Sequence, residues 1–277
     1  DHLPEAAEIR DLRQFSGGQS NPTYLVETGG GRFVLRRKPP GPLLPKAHMI
    51  EREYRVMAAL GAAGFPVPGM RAYCSDVEVI GAEFFVMDHV AGRVFFDTTL
   101  PELAPADRWR LYERAVDRLA DLHALDADAL GLGDFGRPGG YLARQVAVWS
   151  RQYAASETRD IPEMDRLAGW LGEAARDVPD AAALVHGDWR LDNLIVAREA
   201  PEIAAVLDWE LATLGHPLAD LAYFLMTWTF PGGLRYGLGD ADLAGLGIPG
   251  LGALAERYAA RSGRSVAGLD LMLAFST

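Results

Sequence analysis

His186-Gly187-Asp188-Trp189-Arg190-Leu191-Asp192-Asn193-Leu194-Ile195-Val196, followed shortly by Ile203-Ala204-Ala205-Val206-Leu207-Asp208-Trp209-Glu210, is the stretch on which the fold turns. Each half joins a short apolar run to a cluster of polar side chains, and Ala200-Pro201 between them supplies a turn, so the two runs read as a β-hairpin. Setting Ile195 opposite Val206 in an antiparallel pair puts Asn193 opposite Asp208. Facing side chains have Cβ atoms roughly 4.5–5.5 Å apart. An amide oxygen and a carboxylate at that separation can share one hard cation such as magnesium, which favours oxygen ligands. Asp188 lies five residues before Asn193 on the loop leading in, placed to accept a proton from an incoming hydroxyl. Asp and Asn at strand ends are also ordinary turn residues. The combination of H-G-D-x-x-x-x-N, a short hairpin and a closing Asp is what points to phosphoryl transfer.

Working outward, the sequence before this stretch divides into a β-rich and a helical part. Glu8–Phe15, Thr23–Glu27, Phe33–Arg37 and Glu83–Met87 read as strands, with Gly29-Gly30-Gly31 marking a hairpin. Pro39–Pro45 breaks regular structure, and His48–Leu60 carries Ile50, Tyr54 and Met57 at helical spacing. Asp88-His89-Val90-Ala91-Gly92 reads as a joint. Beyond it, Pro105 starts a helix, and further helices are expected over Tyr141–Tyr153, Met164–Arg176 and Leu218–Trp228. Gly232–Gly252 is expected to be loop. The closing run Leu271–Thr277 resembles the first turns of a helix, which suggests that a partner helix lies beyond it. The domain expectation is a lobe over 1–90 and a helical lobe over 91–277.

Composition narrows the function. The 277 residues carry a formal net charge of -11, which counts against a nucleic-acid footprint or a polybasic membrane surface. One cysteine, Cys74, excludes an intrachain disulfide framework and a thiolate zinc cluster. No apolar run is long enough to span a bilayer, and no leader peptide is visible at Asp1–Arg10, so a cytoplasmic protein without membrane or nucleic-acid partners is expected. Lysine occurs only at Lys38 and Lys46. Glu53 shares the apolar stripe of its helix with Ile50 and Met57, and a carboxylate facing inward needs a cation. Alternation on Phe33–Lys38 puts Arg36 and Lys38 on one face, so either could be that partner.

The segments H-G-D-W-R-L-D-N and L-D-W-E resemble the catalytic segment of the aminoglycoside phosphotransferase and choline kinase-like family. F-V-L-R-R-K-P-P-G, R-E-Y-R-V-M-A-A-L and H-P-L-A-D-L-A-Y make the chain most similar, within it, to the kinase-like domains associated with acyl-CoA dehydrogenases. The resemblance implies an α+β, protein kinase-like fold, with a small antiparallel sheet lobe and a larger helical lobe, and a transferase that moves the γ-phosphoryl group of ATP, with Mg2+, to a hydroxyl of a small molecule. It implies Asp188 as catalytic base and Asn193 and Asp208 as metal holders. Ser16–Asn21 would be the loop covering the nucleotide, through Ser20 and Asn21, and Asp88 and Val90 would contact adenine by their main chains. Arg36, braced by Glu53, would grip the phosphates where many kinases carry lysine. That departure leaves Lys38 as a competitor and motivates an alternative, a catalytically inactive nucleotide-binding module. The acceptor is a metabolic hydroxyl compound such as a hydroxyacyl-CoA, or an aminoglycoside or choline-like molecule. His123, His186 and Asp220 read as structural supports, and His216 stands where relatives often carry Asp.

Overall fold

The computed structural model describes residues 8–15, 21–41, 49–137, 139–234 and 236–277. In chain order the elements are β1 (Ile9–Gln14), β2 (Thr23–Thr28), β3 (Gly31–Arg37), α1 (Ile50–Ala62), β4 (Met70–Cys74), β5 (Phe84–Asp88), α2 (Pro105–His123), α3 (Tyr141–Ser156) and α4 (Pro162–Ala174). There follow β6 (Ala183–Val185), β7 (Leu194–Val196), β8 (Ile203–Val206), β9 (Thr213–Gly215), α5 (Pro217–Leu225), α6 (Leu243–Leu246), α7 (Leu251–Ser262) and α8 (Leu269–Ser276). The chain divides into two compact units. One comprises Asp1–Val94 and Asp192–Ala212, the other Phe95–Leu191 and Thr213–Thr277. The β7–β8 hairpin, expected within the helical lobe, therefore groups with the N-terminal sheet.

In the first unit, five antiparallel strands run in the order β1-β2-β3-β5-β4. Val26 pairs with Phe33, and these two form a buried cluster with Val86 on one face. Pleating sends Leu25, Val34, Phe85 and Met87 to the other face, where all four are buried and where Phe85 meets Tyr54 of α1. Helix α1 inserts Ile50, Val56, Met57 and Leu60, each almost fully buried. The β7–β8 hairpin is tied to the same unit by an Arg93–Val196 bridge and by the Val206 N–H, which donates to the Pro66 carbonyl. At Gly92 a Cβ would meet the Val196 carbonyl oxygen at 2.6 Å. The joint seen in the sequence is thus a close backbone approach that only glycine permits.

In the second unit, α2 packs on α7 and α5 on α8. The α2 stripe buries Leu111, Tyr112, Ala115, Val116, Leu119 and Leu122. Its polar edge is zipped to α7 by Arg257 with Asp117 and Glu113, and by Arg261 with Asp121. Among the described residues no helix is long and apolar enough to cross a membrane.

Three readings need correction. Gly232–Gly252 is not simply loop, because it contains α6 and the start of α7; Asp242 caps α6 by accepting from the Gly245 N–H. The strands β4 and β9 went unread, since both are short and lack clear apolar alternation. The hairpin register also differs: Leu194 pairs with Val206 and Ile195 with Ala205, with an irregularity before Val196. Asn193 consequently meets Leu207, whose N–H donates to the Asn193 carbonyl at 2.8 Å, rather than Asp208. The departure begins at the turn, where Val196 pairs with Ile203, and the irregularity beside that pair recovers only part of it; nothing in the local apolar pattern reveals either.

Candidate functional site

Polar groups converge in each of the two units. In the first unit the centre is Arg36 on β3. Its side chain lies on the α1 face, where its Nε donates to Glu53 Oε2 at 2.9 Å and its Nη2 to Asp208 Oδ1 at 2.8 Å. Glu210 Oε2 stands 3.7 Å from the same Nη2 and accepts from Asn21 Nδ2 at 3.3 Å. Of the two cations expected as partners for Glu53, the structure supplies Arg36. Lys38 pairs instead with Glu83 at 3.3 Å.

One guanidinium thus faces three carboxylates. Burial pushes Glu53 up to about 7 against the pull of Arg36, and the charges of Asp208 and Glu210 add to the rise. Burial alone would lower Arg36, yet the surrounding carboxylates leave it above its ordinary value. Even with Glu53 protonated, Asp208 and Glu210 outnumber the single cation, and the cluster is electrostatically suited to a further one.

Asp208 sits just past β8 at φ 63, a left-handed conformation that is uncommon outside glycine and typical of constrained sites. This turn, not the ladder, carries its carboxylate to Arg36. Asn193 closes a 3-10 turn over Leu191–Asn193 and is buried. Asp88 gives its N–H to the Gly69 carbonyl and its carboxylate to Arg71 at 2.7 and 3.0 Å, so a main-chain contact to adenine there would have to use its carbonyl. Val90 is half-buried beyond it. Asn21 is almost fully buried, and Ser20 lies outside the described residues.

In the second unit the loop after β6 carries Asp188. Asp220 of α5 accepts from the main-chain N–H of His186 at 2.6 Å and of Gly187 at 2.8 Å. Gly187 takes a φ of 85, and His186 turns its Nδ1 back to accept from the Asp188 N–H at 3.2 Å. Behind Asp220, His123 Nε2 approaches at 3.3 Å while its Nδ1 lies 2.7 Å from the Tyr258 hydroxyl. Burial would raise Asp220, but these hydrogen bonds hold it below its usual value. Asp220, His123 and His186 therefore act as supports. His216 caps α5 through its Nδ1, which accepts from the Leu218 N–H. The Asp188 carboxylate lies 3.0 Å from Arg190 Nε.

Glu210 and Arg190 were not singled out from the sequence. Each stands two residues after an aspartate of interest, and that repeated spacing was the available signal.

The oxygen donors of the first unit suit magnesium. Among the described residues no three or more His, Cys, Asp or Glu side chains are gathered to hold a metal by themselves. Magnesium commonly takes one or two side-chain oxygens and completes its shell with waters and substrate phosphates, so a carboxylate and an amide are a fitting donor set.

The family model described as the phosphotransferase enzyme family matches residues 11–257. The chain belongs to this family. It is 53% identical over 231 residues to acyl-CoA dehydrogenase family member 11 of Gallus gallus, a match covering 83% of this chain and 30% of that protein. It is 48% identical over 220 residues to the Homo sapiens protein of that name, over 79% of this chain and 28% of that protein. The chain thus spans under a third of the length of these curated relatives. Among solved structures, a protein of Ralstonia eutropha JMP134, assigned provisionally by its name to the aminoglycoside phosphotransferases, is 43% identical with a TM-score of 0.89, covering 99% of this chain and 82% of that one. A thermostable mutant of an aminoglycoside phosphotransferase in ternary complex with ADP and hygromycin B has a TM-score of 0.66 at 17% identity, covering 99% and 85%. The fold is therefore the α+β, kinase-like fold of this phosphotransferase family.

Proposed function

We propose that this family member transfers the γ-phosphoryl group of ATP, with Mg2+, to a hydroxyl of a small molecule. The observation carrying the reading is Arg36, fixed between Glu53 of α1 and Asp208 after β8. In a kinase-like fold this places a permanent cation and a metal-competent carboxylate side by side. Arg36 orients phosphate oxygens, and Glu53 keeps its guanidinium from rotating away. Asn21 holds Glu210 beside Arg36 and serves the covering of the nucleotide. Asp88 and Val90 serve adenine through their main chains. Asn193 and Asp208 would hold Mg2+, which when bound screens the phosphate charges. Asp188, on a loop pinned by Asp220, orients the acceptor hydroxyl and receives its proton. Catalysis of this kind is positioning and electrostatics.

The names of the relatives favour a metabolic hydroxyl compound such as a hydroxyacyl-CoA over an aminoglycoside or choline-like acceptor. A cytoplasmic setting accords with that chemistry. The test is acceptor-dependent ADP release from Mg-ATP across acyl-CoA, hydroxy-acid, sugar, aminoglycoside and amino-alcohol acceptors. With a working acceptor, Asp208→Ala and Asp188→Asn should each lower turnover by about 100-fold or more with an unchanged circular dichroism melt. Near-normal turnover by either variant overturns the residue roles. ATP binding without ADP release for any acceptor favours the inactive nucleotide-binding module.

A further inference from the structure

β1 forms one edge of the five-stranded sheet, and among the described residues no strand pairs with its outer side. All six of its residues are exposed. Leu12 is 56% exposed, and Ile9 and Phe15 on either side of it are exposed as well. Large apolar side chains on an unpaired edge make a template for another strand. Leu12 is also the outermost member of an apolar row, because it pairs with Val26 and Val26 with Phe33. The main chain shows which groups that edge offers. The Phe15 N–H donates to the Thr23 carbonyl at 3.0 Å. Antiparallel alternation then turns the main-chain groups of Asp11 and Arg13 toward β2 and those of Leu12 and Gln14 outward. The irregularity between β1 and β2 falls between Ile9 and Asp11, which leaves Asp11–Gln14 as regular strand. Charge is the second observation. Asp11 and Arg13 share one face and lie 3.1 Å apart with both side chains exposed, and Arg13 stands 3.7 Å from Glu27. The exposed edge therefore carries one acid and one base, two residues apart, on either side of Leu12.

We propose that β1 is a homodimer interface, where a second copy of this chain pairs its own β1 antiparallel about a two-fold axis through Leu12. Only outward-facing residues can exchange hydrogen bonds between the copies, so the registers that keep most of Asp11–Gln14 paired are centred on Asp11, Leu12 or Arg13. Centring on Asp11 sets that carboxylate against its own copy, and centring on Arg13 does the same with two guanidinium groups. Like charges directly opposite destabilise a ladder. Centring on Leu12 sets Asp11 of each copy opposite Arg13 of the other, at the non-hydrogen-bonded positions where facing side chains come closest. It also sets Leu12 against Leu12 and Arg10 against Gln14. The row of Phe33, Val26 and Leu12 then continues across the axis into its counterpart, and the two sheets become one. Charges on an edge ordinarily deter pairing. Here they complement one another in one register, so they select it. With each facing pair contributing roughly 0.2–1 kcal/mol, the dimer is weak, with a dissociation constant on the order of 10–100 μM. It does not depend on the phosphotransferase reading.

Sedimentation equilibrium of the chain from about 1 to about 500 μM should show a reversible monomer–dimer equilibrium. Leu12→Lys places two ammonium groups on the axis and should weaken the dimer about 10-fold or more. Because Leu12 is exposed, its circular dichroism melt should be unchanged. Asp11→Arg and Arg13→Asp should each weaken self-association by a similar factor. An equimolar mixture of those two variants should dimerise like wild type, since each chain supplies the charge that the other lacks. Amide hydrogen exchange gives a second measurement that needs no variant. Protection at Leu12 and Gln14 should rise with protein concentration, while that at Asp11 and Arg13, whose N–H groups face β2, should stay constant. The proposal is overturned if the chain is monomeric throughout the range, if Leu12→Lys dimerises as well as wild type, or if the mixed variants associate no better than either alone. Full protection of Leu12 and Gln14 in the monomer also overturns it, because another segment of the same chain then covers the edge.

Discussion

The clusters around Arg36 and around Asp220 are both buried and both organised by a carboxylate, yet they are built on opposite principles. Arg36 is one cation among three carboxylates, and the excess shows in Glu53, driven up to about 7 by burial and by its acidic neighbours. Asp220 is one carboxylate among donors, with two main-chain N–H groups and a histidine directed at it. The first cluster is electrostatically incomplete and suited to receiving positive charge. The second is closed, and its gain is rigidity of the loop bearing Asp188. Polar burial thus leaves a net negative charge in one unit and a satisfied hydrogen-bond network in the other.

Breaking the closed cluster should have the largest effect on stability. Asp220→Ala leaves two main-chain N–H groups and His123 without their acceptor, and should lower the urea-unfolding free energy by about 3 kcal/mol. A loss below about 1 kcal/mol would mean that water replaces the carboxylate and that the network is not closed. Tyr258→Phe removes only the outermost link, the hydroxyl at His123 Nδ1, and should cost about 1 kcal/mol. Amide hydrogen exchange at His186 and Gly187 should accelerate far more in the first variant than in the second.

The open cluster should respond to pH more than to truncation. Glu53 keeps its proton to about 7 in the folded chain, against an ordinary value of 4.5. Between those values the folded chain binds more protons than the unfolded one. The contribution of Glu53 is therefore fully present below pH 4.5 and is lost as pH rises through 7. Urea titrations at pH 5 and pH 8 should show wild type losing more stability than Glu53→Gln across that interval. Equal losses would place the folded value of Glu53 in the ordinary carboxylate range, and the contrast between the clusters would weaken.

Much of the fold was legible because its signals are local. The strands β2, β3 and β5 and the helices α1, α2 and α5 announce themselves by alternation, by helical spacing or by Pro105, and the inward turn of Glu53 followed from its place between Ile50 and Met57. The segment from Gly232 to Gly252 misled because glycine density obscures short helices that are fixed by distant packing, as Gly247 against Pro105 illustrates. The pairing of Arg190 with Asp188 went unread for a related reason: adjacency in sequence does not say which way two side chains turn.

By itself, the sequence determined the residue types and spacings of the candidate site, the face of β3 on which Arg36 lies and the need of Glu53 for a cation. Covalent geometry sets the periods of strand and helix, so those faces follow from position alone. Only the tertiary structure decided that Arg36 and not Lys38 answers Glu53, that the β7–β8 hairpin groups with the N-terminal sheet, and that Asp208 reaches Arg36 through a left-handed turn rather than across a ladder from Asn193. Each of those outcomes depends on contacts between residues far apart in the chain, where a shift in strand register or one competing carboxylate changes the partner.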